Sequence, residues 1–171
     1  GPRNSCENCS YDEAQRFCQQ VAALMRSVEL VQADQVVRLP TEVEWEYAAR
    51  AGTTSIYSFG DDSRKLDEYA WHTGNAAGND PSVGVKKPNP WGLFAIHGYL
   101  WEWCADVWHE DYQGAPVDAT AWNQGGAALR RVLRGGSWKD KPEQLTSSFR
   151  RAADKSTRDD AVGLRCVLAK E

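Results

Sequence analysis

One carboxylate, Glu102, lies between two tryptophans in the segment Trp91–Trp108, whose sequence is WGLFAIHGYLWEWCADVW. Rings of this size dominate the burial energy of a small domain, so the segment is predicted to lie in the core. From Leu100 onward, the alternation predicts a strand with Trp101 and Trp103 on one face and Glu102 on the other. An unpaired buried carboxylate is costly, so we expect a cation or several hydrogen-bond donors to face Glu102.

Five cysteines are the second group of residues that could carry chemistry. Cys6 and Cys9 form a C-x-x-C motif, which is half of a four-cysteine zinc site, and no second such motif follows. We therefore expect one or two disulfides and a free thiol rather than zinc. The pairing of Cys6, Cys9 and Cys104 stays open.

Length and composition limit the class of protein. The chain has 171 residues, 42% of them hydrophobic, which predicts one globular domain over residues 1–171. A net charge of −4 without a basic run argues against nucleic acid as a partner. No apolar stretch approaches the roughly 20 residues of a membrane span, so we expect no membrane insertion. The opening Gly1-Pro2 is typical of a cleaved tag, so we expect the native start and any export signal to lie outside this sequence.

Two helices are predicted near the start of the chain. Ser10 and Glu13 form a capping box, and Thr41 and Glu44 form a second one that opens a helix ending near Gly52. Apolar residues recur at helical spacing in the first helix, at Ala14, Phe17, Cys18, Val21 and Met25. Between the helices, residues 36–39 are predicted to be extended, ending at Pro40.

Long polar segments follow, at residues 53–90 and 109–130, and their Gly, Asn, Asp, Ser and Pro content predicts ordered loops. Loops of this length in a compact domain are usually functional or held by ions and disulfides. Residues 131–134 and a closing segment, Val162–Leu168, are predicted strands. The expected fold class is α+β, with two helices near the start, short antiparallel strands near the end and low regular secondary structure.

Five segments, taken in order, carry a resemblance to a known family. They are SYDEAQRFC at 10–18, RLPTEVEWEYAARAG at 38–52, NPWGLFAIHGYLWEWCADVW at 89–108, RVLRGGSW at 131–138 and FRRAADKSTRDDAVGLRCV at 149–167. Over almost its whole length, the chain resembles the formylglycine-generating-enzyme-like (sulfatase-modifying factor) family. The resemblance implies a variant of the C-type lectin fold. It also implies an N-terminal strand region before the first helix, which we expect to be missing here.

The activities of the family need metal ligands that this sequence lacks. The founding activity oxidises a sulfatase cysteine to formylglycine with a copper ion and two cysteines just downstream of the RGGS turn, where residues 138–165 hold no cysteine. Without thiolates there is neither a soft copper site nor a nucleophile, so we expect no copper and no such activity. The family's iron-dependent sulfoxide synthases use histidines of a separate helical domain. His72, His97 and His109 form no i, i+4 pair, so we expect no iron.

The resemblance then implies a catalytically inactive module that binds a protein partner or regulates it, such as the periplasmic regulators of type VI secretion. One alternative is the ligand-binding variable protein of a diversity-generating retroelement, in which mutated adenines, mostly in asparagine codons, diversify the segment after the turn. Residues 139–161 contain no asparagine, and four of them cannot arise from asparagine codons by changing adenines alone: Lys139, Lys141, Glu143 and Gln144. A family enzyme of unrecognised activity is the other alternative.

Two further sites follow from the resemblance. Cys18 and Cys166 match positions that are bridged in secreted members, and this disulfide would place the protein in an oxidising compartment, periplasmic or secreted. Two buried free thiols are the alternative. The family also binds calcium at a segment whose matched ligands are the carbonyls of Gly98 and Leu100 and the carboxylate of Glu102. Ala95 stands where the family offers Asn or Asp, and the alternative is a Glu102 held by backbone N–H groups, an arginine or a water.

A binding groove is the last implied site. Ser137 matches a residue that lines the catalytic cleft of the enzymes, and aromatic and polar neighbours suit partner recognition. The predicted groove consists of Ser137, Trp138, Asp140 and Arg150, with a turn that merely packs as the alternative. Two other arginines, Arg134 and Arg165, are expected to pair inside the scaffold with carboxylates from the group Glu42, Glu44, Glu46 and Asp106.

Overall fold

The computed structural model describes residues 6–76 and 84–170, and both predicted helices are present. Helix α1 spans Tyr11–Ser27 and helix α2 spans Glu42–Arg50, each opened by its predicted capping box. The helical spacing of apolar residues in α1 predicts a buried face that includes Phe17. In the structure Phe17 is instead 41% exposed. A short helix, α3, spans Leu66–Tyr69 and follows a 3-10 turn. A second 3-10 turn spans Pro142–Gln144.

Within residues 6–76 and 84–170, six short strands form two sheets. In chain order they are β1 (Gln35–Arg38), β2 (Trp101–Trp108), β3 (Ala127–Arg134), β4 (Arg150–Asp154), β5 (Val162–Gly163) and β6 (Val167–Lys170). The four-stranded sheet has the order β4-β3-β2-β5, and β1 pairs with β6 in the other. All pairings are antiparallel except that of β5 with β2.

Two strand predictions are corrected. The closing segment Val162–Leu168 is two strands in different sheets, because β5 joins β2 while β6 pairs with β1 near the start of the chain. The polar segment before it contains β4, which extends the sheet beyond β3. Neither element has the apolar alternation that marks a half-buried strand.

Strand β2 lies at the centre of the molecule and separates two clusters, as its alternation predicts. Trp101 and Trp103, both 0% exposed, pack with Ala14 and Cys18 of α1. On the other face, Cys104 packs with four other buried apolar residues: Trp45, Ala49, Ile96 and Val132. The strand is therefore buried on both sides, one against each long helix.

Side-chain hydrogen bonds hold the long loop that precedes β2. The amide of Asn89 donates to the carbonyls of Ala48 and Ala49, and its side-chain oxygen accepts from the backbone of Leu93. Gly98 has a φ of +78°, and a Cβ there would lie 2.4 Å from the carbonyl oxygen of Trp71. The loop thus depends on an asparagine and a glycine at defined positions.

Within the residues that the structure describes, no helix has the length and apolar character needed to cross a bilayer.

Candidate functional site

The Glu102 carboxylate is hydrogen-bonded to an arginine and a tryptophan. Arg165 Nε donates to both carboxylate oxygens, at 3.1 and 2.9 Å, and Trp45 Nε1 donates to one of them at 2.8 Å. Arg165 thus pairs inside the scaffold as predicted, but its partner is Glu102. The predicted partners were Glu42, Glu44, Glu46 and Asp106. The Glu102 charge raises the pKa of Arg165.

The predicted calcium site includes Glu102, whose carboxylate is paired with Arg165. Gly98, Leu100 and Glu102 lie close in the chain, but the carbonyl of Gly98 accepts from the Leu100 amide at 3.1 Å. The Glu102 carboxylate is already neutralised by Arg165, so the donor set fits a calcium ion poorly. Calcium at this position stays a prediction, and the ion would have to displace the guanidinium. The described part of the chain holds no group of three or more metal-ligating side chains.

A cavity of about 340 Å³ lies beside this ion pair. Glu102 and Arg165 form its polar part. The rest is mainly apolar or aromatic and includes Phe94, Tyr99, Leu100 and Leu164, with Cys6 also in its lining.

Three of the four residues predicted to form the groove lie in one turn that follows β3. The carboxylate of Asp140 accepts from the backbone N–H of Ser137 at 2.9 Å, from the Ser137 hydroxyl, and from Nε1 of Trp101 at 2.8 Å. The Trp138 N–H donates to the carbonyl of Tyr99 at 3.0 Å. The Asp140 carboxylate therefore fixes the turn on β2, and Trp138 is left half-buried at the surface.

The fourth residue of the predicted groove, Arg150, lies elsewhere, and this corrects the prediction. Its guanidinium donates to both oxygens of Glu42 at 2.7 Å. The neighbouring Arg151 points to the other face of β4 and lies over the ring of Trp101, 5.5 Å from its centroid. Trp101 also donates to Asp140, so the arginine nearer to the turn is Arg151. Successive residues of a strand point to opposite faces, so only one of the two arginines, Arg151, can lie on the side of the turn.

Arg150 belongs to a buried ionic network around Glu42. Arg134, which is 0% exposed, donates to Glu42 at 3.0 Å and to Glu46, as the scaffold prediction expected. The Tyr112 hydroxyl donates to Glu42 at 3.0 Å. Burial, and after it the Glu42 carboxylate, raise the pKa of Tyr112 to about 12. Nothing in the sequence around Tyr112 indicates this role, because it lies in an irregular loop.

The cysteines predicted to be bridged lie side by side. The sulfurs of Cys18 and Cys166 are 3.1 Å apart, beneath α1. Hydrogen bonding between the two thiols raises the pKa of Cys18 and lowers that of Cys166. Cys104 is fully buried in the cluster behind β2, and its burial raises its pKa. The disulfide stays a prediction that this geometry is compatible with.

The three histidines occupy separate packing positions. His97 is buried, with Nδ1 2.8 Å from the carbonyl oxygen of Leu145 and Nε2 2.9 Å from the Ser58 hydroxyl. His72 lies 2.8 Å from a carboxylate oxygen of Asp67. The ring of His109 stacks on Trp122 with the centroids 3.5 Å apart.

Residues 2–170 match the family model described as the sulfatase-modifying factor enzyme 1-like domain. The chain belongs to this family.

Curated relatives include both active and inactive proteins. The match is 35% identical to the formylglycine-generating enzyme of Streptomyces coelicolor, covering 76% of this chain and 46% of that protein. It is 31% identical to the inactive Cα-formylglycine-generating enzyme 2 of Bos taurus, covering 76% and 43%. It is 32% identical to the serine/threonine-protein kinase pkn1 of Chlamydia pneumoniae, covering 76% and 20%. The chain spans half or less of the length of these relatives.

Solved structures confirm the C-type-lectin-like fold. Treponema denticola variable protein 1 superposes with a TM-score of 0.82 at 27% identity, covering 99% of this chain and 72% of that one. PvdO from Pseudomonas aeruginosa superposes with a TM-score of 0.84 at 30% identity, covering 100% and 64%. The α+β fold of the formylglycine-generating-enzyme type is therefore established for this chain.

Proposed function

We propose that this domain is a protein-binding or regulatory module that lacks formylglycine-generating activity. The observation that carries the proposal is the chemistry of the turn after β3. Where the resemblance implies reactive thiols, residues 138–165 supply none, and the Asp140 carboxylate holds the turn closed on Ser137 and Trp101. The three hydrogen bonds that the Asp140 carboxylate accepts hold the turn in place, which supports a structural role for this group.

The same turn has the features of a recognition surface. Trp138 is half-buried on a backbone fixed by hydrogen bonds, and the Lys139 ammonium lies 5.1 Å from the centroid of its ring. Lys139 also pairs with Asp159 and Asp160 of the neighbouring loop. A rigid aromatic side chain with charged neighbours is a frequent anchor in protein interfaces, because little side-chain entropy is lost on binding.

Site-specific photo-crosslinking tests this proposal. A photoreactive amino acid is placed at the exposed Lys141, next to the turn, and a matched one at Arg64, whose side chain is 89% exposed. After exposure to an envelope extract of the source cell, we expect a crosslinked protein with the Lys141 probe and none with the Arg64 probe. Equal crosslinking from the two positions would contradict a binding surface at the turn.

A direct assay addresses the enzymatic alternative. The chain is loaded with copper and incubated with a cysteine-containing sulfatase peptide, and aldehyde formation is followed by mass spectrometry. We expect no formylglycine, with an active family enzyme as the positive control. Turnover of the peptide would overturn the proposal.

We further propose that the domain works in an exported setting, periplasmic or secreted. The adjacent Cys18 and Cys166 thiols, 3.1 Å apart, support this, because such a pair oxidises readily outside the cytosol. Peptide mapping under non-reducing conditions of protein isolated from its source cell should recover the Cys18–Cys166 disulfide. Fully reduced thiols in that material would argue for a reducing compartment.

A ligand-binding variable protein is the second candidate, favoured by the similarity to Treponema denticola variable protein 1. The codons of residues 139–161 decide between the two. Sequencing this part of the gene from many cells of one strain should give one sequence if the domain is a fixed binding module. Clustered substitutions at adenines would favour the variable protein.

A further inference from the structure

Two cysteines that the proposed function does not use lie directly before α1. Cys6 is exposed, whereas Cys9 is 9% exposed and belongs to the core cluster beneath the helix. The Cys6 side chain is close enough to Cys9 to raise the pKa of its thiol, although burial is the larger cause. Between them, Asn8 has a φ of +59°, and this left-handed residue turns the chain so that its two flanks approach.

The backbone around this pair is fixed to the sheet. The Asn8 N–H donates to the carbonyls of Asp159 and Val162, each at 3.1 Å. Glu7 forms a β-bridge with Gly163, and the Cys9 carbonyl accepts from Nε1 of the buried Trp103 at 3.0 Å. The backbone that carries the two cysteines is thus fixed to the sheet.

The two thiols differ in the way that exchange chemistry requires. Burial, and after it the neighbouring Cys6 side chain, raise the pKa of Cys9 to about 12. Cys9 therefore keeps its proton in the core, while Cys6 is exposed to a disulfide arriving from solvent. An accessible thiolate is the reactive form of cysteine in disulfide exchange.

We propose that Cys6 and Cys9 form a thiol–disulfide exchange site for disulfides that carry an apolar or aromatic group next to the sulfur. Cys6 lines the cavity of about 340 Å³ described above, whose wall includes the side chains of Phe94, Tyr99 and Leu164. An apolar group attached to the substrate sulfur can occupy this cavity while Cys6 attacks.

The reaction is a two-electron transfer from the dithiol to the substrate disulfide. The Cys6 thiolate attacks one substrate sulfur, a mixed disulfide forms, and the other sulfur departs as a thiolate. Cys9 then gives up its proton to the departing thiolate or to solvent. The Cys9 thiolate attacks the Cys6 sulfur, which forms the Cys6–Cys9 disulfide and releases the second substrate sulfur as a thiolate that is protonated by solvent.

The test uses the whole reduced chain and 4,4′-dithiodipyridine, an aromatic disulfide, with oxidised glutathione as the polar probe. Peptide mapping by mass spectrometry follows each cysteine over time. In the wild type we expect a Cys6–Cys9 disulfide, and a preference for the aromatic probe over glutathione that exceeds the preference of free cysteine for the same two probes, because the leaving group alone favours the aromatic probe. Cys9→Ser should stop at a mixed disulfide on Cys6, and Cys6→Ser should leave the buried Cys9 unmodified.

Cys166→Ser serves as the control, because it breaks the other thiol pair and should leave the chemistry at Cys6 unchanged. The proposal would be overturned if the wild type accumulated a stable mixed disulfide on Cys6, since Cys9 would then not resolve it. It would also be overturned if Cys18 and Cys166 oxidised while Cys6 stayed reduced. A preference for the aromatic probe no larger than that of free cysteine would overturn the role of the cavity.

Discussion

The two faces of β2 use different physics to bury the same strand. On the α1 face, Trp101 and Trp103 pack into an apolar cluster in which shape decides the energy. On the α2 face, beside the apolar cluster of Cys104, two carboxylates are each paired with an arginine: Glu42 of the helix with the buried Arg134, and Glu102 of the strand with the half-buried Arg165. An apolar face tolerates changes that keep volume, whereas an ionic face tolerates no change that leaves one charge behind.

The largest expected effect follows from removing one charge of the ionic face. Glu42→Gln keeps the side-chain shape but leaves the guanidinium of Arg150 without its anion and that of Arg134 with Glu46 alone. We expect a loss of about 3–5 kcal/mol in the free energy of unfolding, measured by urea denaturation with tryptophan fluorescence. Glu68→Gln, which breaks an exposed pair with Lys87, is the control and should leave the free energy of unfolding nearly unchanged. Similar losses in the two variants would show that the Glu42 network is not the ionic support described here.

An effect of intermediate size comes from His97, which lies in the loop before β2 and packs on the rings of Tyr57 and Phe59. Its burial lowers its pKa from 6.5 to about 4, so the unfolded chain takes up a proton in this range and the folded chain does not. The contribution of His97 is therefore complete above pH 6.5 and is lost as the pH falls towards 4.

Unfolding measured at pH 7 and pH 5 checks this sign. We expect the wild type to lose about 2 kcal/mol between these two values through His97 alone. His97→Asn, less stable at both pH values, should have a flatter dependence. An unchanged pH dependence in that variant would assign the effect to other groups.

The apolar face is expected to respond less to a conservative change. Leu133 is 0% exposed and packs in the cluster under α1. Leu133→Met keeps the volume and should cost less than about 1.5 kcal/mol in the free energy of unfolding. A loss as large as that of Glu42→Gln would break the contrast between the two faces.

The smallest expected effect on stability is at the turn. Trp138→Ala removes the contact with the Lys139 ammonium and leaves the Asp140 hydrogen bonds intact. The free energy of unfolding should fall by about 0.5–1 kcal/mol in a thermal melt. A loss of several kcal/mol would mean that Trp138 is part of the core and not a surface anchor.

The sequence predicts local structure and the apolar face well. Capping boxes fix the start of α1 and α2, because their residues act on the adjacent backbone. The alternation in β2 predicts both of its faces, and the requirement for a partner at Glu102 follows from burial alone.

Long-range pairing is the part that local patterns miss. The choice of Arg165 for Glu102, the division of the last segment into β5 and β6, and the exchange of Arg150 for Arg151 near the turn all depend on which strands meet. Tyr112 joins the Glu42 network from an irregular loop that has no periodicity to place it.

We propose that the scaffold presents Trp138 for binding and does not need it for folding. Affinity capture from an envelope extract tests it with three immobilised forms: the wild type, Trp138→Ala and Trp91→Ala, quantified by mass spectrometry. Trp91 is 50% exposed and packs on Tyr47, away from the turn, so it is the matched control. We predict a protein retained by the wild type and Trp91→Ala and lost with Trp138→Ala, while all three melt cooperatively. Equal retention by all three forms would show that Trp138 does not belong to the binding surface.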